Sequence, residues 1–141
     1  MSFEFRADRR RFLGIVTFAL APEALGRHGD MQYKEDPILV TALARRIVGS
    51  LGNSGSGYEV GRTYLQIHPQ EAQVGHLVNA IIGNIERSDA HRLLTDDDAL
   101  QNVLRGRRLQ DFEKGELVTI DGWFFARSEL RCCALAAVAI T

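Results

Sequence analysis

Leu117-Val118-Thr119-Ile120-Asp121-Gly122-Trp123-Phe124-Phe125-Ala126 is the one stretch where the apolar period drops to two. Two β-rich runs flank Asp-Gly, a dipeptide suited to a two-residue hairpin turn because both central positions need positive φ. The spacing predicts a hairpin over 117–126. Alternation sends Trp123 and Phe125 to one face, the buried one, and Phe124 to the other. An isolated hairpin is marginal in water, so this one is expected to pack on helices.

Working outward, every other segment from residue 36 on reads as helix or connector. C-terminal to the hairpin, Ser128 is expected to cap a helix from Glu129 to about Ile140, rich in Leu, Cys, Ala and Val and apolar on most sides. On the N-terminal side, Thr95 is the expected cap of a helix whose first turn is Asp96-Asp97-Asp98, an acidic run that suits the helix dipole. Leu100, Val103 and Leu104 form its inner face, and Phe112 is expected to anchor its end before Gly115.

Ser88 to Leu94 reads as a polar connector. Before it, Val74, Leu77, Val78, Ile81, Ile82 and Ile85 make one apolar stripe, in a helix opening at Pro69-Gln70-Glu71. A short helix over 58–67 places Val60, Tyr64 and Ile67 together. The first of these helices starts at Asp36-Pro37 and carries Leu39, Val40, Leu43, Ile47 and Leu51 at helical spacing. The expected fold is therefore mainly α: a small bundle of four to five helices with one C-terminal β-hairpin, in a single domain over 22–141.

Residues 1–21 are different. They hold four arginines against Glu4 and Asp8, whereas 22–141 hold thirteen basic and sixteen acidic side chains. The overall charge of −1 is thus a basic leader plus an acidic body. Phe12 to Ala21 is uncharged and ends in Ala19-Leu20-Ala21, a small-x-small site. Basic region, short apolar region and small-residue site are the parts of a secretory signal. The competing reading is an amphipathic N-terminal helix with an arginine face.

Asp8-Arg9-Arg10-Arg11-Phe12-Leu13-Gly14 resembles the twin-arginine translocation signal. Arg9 and Arg10 match the pair, Phe12 and Leu13 the apolar pair, and Ala19 and Ala21 the cleavage site. Asp8 and Gly14 stand where that signal usually has Ser or Thr and Lys. Residues 121–131, from Asp121-Gly122-Trp123 to Ser128-Glu129 and Arg131, are similar to the C-terminal end of small uncharacterised bacterial proteins that also carry twin-arginine signals. That resemblance implies export by the twin-arginine translocase to the periplasm and a small helical domain. It supplies no catalytic residue.

Composition narrows the function further. The near-neutral charge excludes a globally basic nucleic-acid binder, and no apolar run reaches the ~20 residues of a membrane-spanning helix. The glycine-rich stretch 49–57 lacks the Gly-Lys-Ser/Thr ending of a phosphate loop and follows a predicted helix. His28, His68, His76 and His91 are dispersed, with no cysteine at ligand spacing. Cys132 and Cys133 are adjacent, a poor geometry for a mutual disulfide, and read as small apolar residues. Arg105, Arg107, Arg108 and Lys114 are interleaved with Asp111, Glu113 and Glu116, a mixed-charge surface.

No catalytic, cofactor-binding or metal-ligating residue is assigned, and no cofactor is expected. The aromatic run and the last helix remain as a contact surface for a protein partner, through Trp123, Phe124, Phe125 and Leu130. The layout of arginine signal, small helical domain and no catalytic set resembles that of the small helical subunits of flavin-dependent sugar and gluconate dehydrogenases. It implies an accessory subunit that carries the export signal for a larger enzyme. Two other roles fit the same residues: a stand-alone periplasmic binding or structural domain, and a cytoplasmic adaptor docking through its N-terminal helix.

Overall fold

The computed structural model describes residues 36–52 and 55–139. Arg9, Arg10, Phe12, Leu13, Ala19 and Ala21, read from the sequence as an export signal, lie outside them. Within them stand six α-helices, one 3-10 turn and one two-stranded antiparallel sheet. The helices are α1 (Pro37–Ser50), α2 (Gly55–Ile67), α3 (Val74–Ile82), α4 (Arg87–Thr95), α5 (Asp97–Lys114) and α6 (Arg127–Ala139). The 3-10 turn is Pro69–Glu71, and β1 (Leu117–Ile120) pairs with β2 (Trp123–Ala126).

Local chemistry explains most of the boundaries. Asp36 caps α1: its carboxylate accepts from the Ile38 and Leu39 amides at 3.0 and 3.2 Å, with Pro37 at the first position. α5 is capped by Asp96, which accepts from the Ala99 amide at 3.0 Å. Thr95, the expected cap, instead ends α4, and its hydroxyl donates to the Arg92 carbonyl. α5 stops at Gly115, whose left-handed φ of 69° lets its N–H return to the helix's last carbonyls.

Residues 88–94 are helical, which makes six helices where the periodicity gave four to five. α4 buries only Ala90 and Leu93, a single i, i+3 pair too sparse to show as a stripe. The expected helix over 69–85 is divided into the 3-10 turn and α3. Gly83, at φ 86°, ends α3, and the Arg107 side chain fills the space beside it while donating to the Ile82 carbonyl at 3.3 Å. Arg107 thus supplies from α5 the positive charge and the donor that the end of α3 lacks.

The core centres on α6. It packs against α1, α2, α3, α5 and β2. Leu130, Ala134 and Leu135 are fully buried there, beside Leu43, Ile47, Tyr64, Leu77, Val78 and Ile81. The inward faces predicted for α1 and α3 are the buried ones, Leu39, Val40, Leu43 and Ile47 in the first, Leu77, Val78, Ile81 and Ile82 in the second. Ile67 and Phe112, expected inside, are about half exposed at 54% and 50%. No helix among the described residues is long and apolar enough to cross a membrane.

Candidate functional site

The hairpin register is Leu117 with Ala126, Val118 with Phe125, Thr119 with Phe124, and Ile120 with Trp123. Asp121 and Gly122 have φ of 51° and 82°, so both central turn positions are left-handed, as the Asp-Gly pair predicted. Cross-strand partners share a face. Val118, Ile120, Trp123 and Phe125 therefore lie on one side of the ribbon, and Thr119 and Phe124 on the other.

The inner face is only partly covered. Ile120 is buried, and Val118 and Phe125 are half-buried against the core. Trp123, expected inside, is 73% exposed, although its cross-strand partner Ile120 on the same face is buried. Phe124 on the outer face is 72% exposed. Leu130, one helical turn into α6, has no accessible surface and is a core residue, so it is removed from any contact surface. Of the four residues read from the sequence, Trp123 and Phe124 form the exposed tip, Phe125 forms its root, and Leu130 lies in the core behind it.

The tip is fixed to the body at the junction of β2 and α6. The helix begins directly after the strand at Arg127, and three amide donors near its start are satisfied from three places. The Ala126 amide donates to Glu129 Oε2 at 3.1 Å. The Arg127 amide donates to the Glu116 carbonyl at 3.1 Å, and the Ser128 amide to Asp111 Oδ2 at 2.7 Å. Ser128 is not the cap. Asp111, on the last turn of α5, takes that role from a neighbouring helix.

Behind the junction lies a buried ion pair. Arg131 of α6 holds both carboxylate oxygens of Glu71 through Nε and Nη2, at 2.9 and 3.0 Å, and the Tyr64 hydroxyl donates to Glu71 at 2.8 Å. Glu71 is 5% exposed and Tyr64 fully buried. The hydrogen bond from Arg131 holds the Glu71 carboxyl down to about 2, against the opposing effect of burial, with Tyr64 adding to the lowering. Burial pushes the Tyr64 phenol up, and Glu71 raises the Arg131 guanidinium. The His68 ring lies against Tyr64, with ring centroids 4.7 Å apart. Glu71 stays charged and Tyr64 neutral at physiological pH, and both are enclosed. The arrangement locks the 3-10 turn, α2 and α6 together; it offers a substrate no reachable acid or base.

The sequence reading missed this cluster. It took Glu71 only as part of a helix opening, and no local signal marks its partner, which is sixty positions away. Cys132 and Cys133 are free thiols. Burial pushes Cys132 up to about 12 and also raises Cys133, so both are protonated at neutral pH and act as small side chains. Among the described residues, no three His, Cys, Asp or Glu side chains converge in a way that could hold a metal ion. No family model matches the chain, and no curated protein or solved structure does so either.

Proposed function

We propose that this protein is an exported, non-catalytic accessory subunit that docks on a larger periplasmic or membrane-bound enzyme, an oxidoreductase by the layout of its sequence. One observation carries the docking half of this reading: Trp123 and Phe124, adjacent aromatic residues, are 73% and 72% exposed on a hairpin tied to the core at its root. Adjacent strand residues point to opposite faces, so the tip is apolar on both sides. Such a blade suits a cleft in a partner better than a flat patch. Tryptophan and phenylalanine seated in a pocket are strong anchors of protein interfaces. The export half rests on Arg9-Arg10, Phe12-Leu13 and Ala19-Leu20-Ala21.

The test is made in native cells. The mature chain from the exported fraction is expected to begin near Pro22 and to co-purify with a larger oxidoreductase. Trp123→Ser with Phe124→Ser is expected to abolish that association while leaving the melting temperature within a degree or two, since both side chains are exposed. An intact Met1 on the exported chain would remove the cleavage claim. A clean monomer from native extract, or unchanged association of the double variant, would remove the docking claim.

A further inference from the structure

Away from the hairpin tip, α1, α5, β2 and α6 border a half-open pocket of about 460 Å3. That volume lies in the range of small-molecule sites, roughly 300 to 1,000 Å3. Leu51, Leu104 and Phe125 give it apolar walls; its charged groups are two arginines, Arg105 and Arg108, against one carboxylate, Glu129, with Ser128 among its neutral polar groups. Cys132 and Cys133 also line it, as protonated thiols that add no charge of their own.

Two features point to the chemistry of an occupant. The first is surplus positive charge. Arg105 and Arg108 are three apart on α5 and share a face. Arg108 meets Glu129 at 3.5 Å, near the outer limit of an ion pair, and Arg105 has no carboxylate partner among the described residues. The second is Ser128. It is 6% exposed, and its Oγ is buried without a hydrogen-bond partner among the described residues. A buried hydroxyl left unpaired costs about 1–3 kcal/mol, so a ligand oxygen that pairs with it removes a penalty already present.

We propose that this pocket binds a small organic acid, its apolar body against Leu51, Leu104 and Phe125 and its carboxylate held by Arg105 and Arg108, with Ser128 Oγ donating to a ligand oxygen. The arginines supply charge-assisted hydrogen bonds and the walls exclude water from the body. The site lies apart from the exposed docking tip, since neither Trp123 nor Phe124 lines it, and it meets the hairpin only at Phe125.

The experiment titrates the full chain with octanoate and, in parallel, with octanol, followed by amide NMR shifts. Octanoate is expected to saturate, with shifts concentrated at 104–108 and at 128–133, and octanol to bind about tenfold more weakly or less, as loss of a charge-assisted contact implies. Arg105→Gln with Arg108→Gln, both exposed positions, is expected to weaken octanoate about tenfold or more while the free protein's melting temperature holds. Equal affinity for acid and alcohol, shifts that never saturate, or undiminished binding by the double variant would each overturn the proposal.

Discussion

Gly61 of α2 lies directly against the backbone of Cys133 in α6. A Cβ built on Gly61 would overlap the Cys133 carbonyl and stand 2.7 Å from the Ala134 nitrogen. The obstacle is helix backbone, which cannot swing aside as a long side chain can. Gly61→Ala is therefore expected to force the two helices apart and cost about 3 kcal/mol. Gly106, in the exposed middle of α5, has nothing within 4 Å of the same added atom. Gly106→Ala is expected to gain about 0.5–1 kcal/mol through helix propensity alone. Urea unfolding of the two variants checks both signs; a neutral Gly61→Ala would mean the helices do not approach this closely.

The Glu71–Arg131 pair makes stability depend on acid. The folded carboxyl sits at about 2, below its ordinary 4.5. A depressed carboxyl contributes stability that is fully present above the unfolded value and is lost as pH falls toward the folded one. The window is thus roughly pH 4.5 down to 2, and the loss from this one group is on the order of 3 kcal/mol. Unfolding measured across that range should show the decline. Glu71→Gln, which cannot titrate, should be weaker at neutral pH and flatter with acid. A variant as steep as the parent would assign the acid sensitivity to other carboxylates.

Asp111 couples α5 to the start of α6 through its 2.7 Å contact with the Ser128 amide. Asp111→Ala removes a cap and is expected to cost about 1 kcal/mol. Hydrogen exchange at Ser128 should quicken more than at residues deep in α6. Asp111→Asn, which keeps an acceptor oxygen, should retain much of the protection. Unchanged exchange at Ser128 in the alanine variant would place its amide's acceptor elsewhere.

The hairpin, the inward faces of α1 and α3, and the Asp36 cap were legible because each depends on neighbours within a few positions. Features decided by distant residues were not. Trp123 reads as buried by alternation, but alternation fixes only the face of the ribbon, and packing covers Ile120 on that face while leaving Trp123 exposed. Residues 88–94 read as a connector because two apolar residues suffice where most of the helix faces solvent. Thr95 and Asp96 are both good caps, and the turn geometry chose the second. Glu71, Gly61 and the organic-acid pocket all depend on α6, whose position on top of the other helices no local pattern records.

That position also orders events in time. Among the described elements α6 comes last along the chain, yet it is the element around which α1, α2, α3 and α5 assemble. A ribosome emits the chain from the N-terminus, so these earlier helices appear before the surface that buries them exists. Until residues near Leu130 and Leu135 emerge, the apolar stripes of α1 and α3 have no central partner. Nascent chains of this protein are expected to stay open and chaperone-accessible until α6 has emerged, and then to close in one cooperative step.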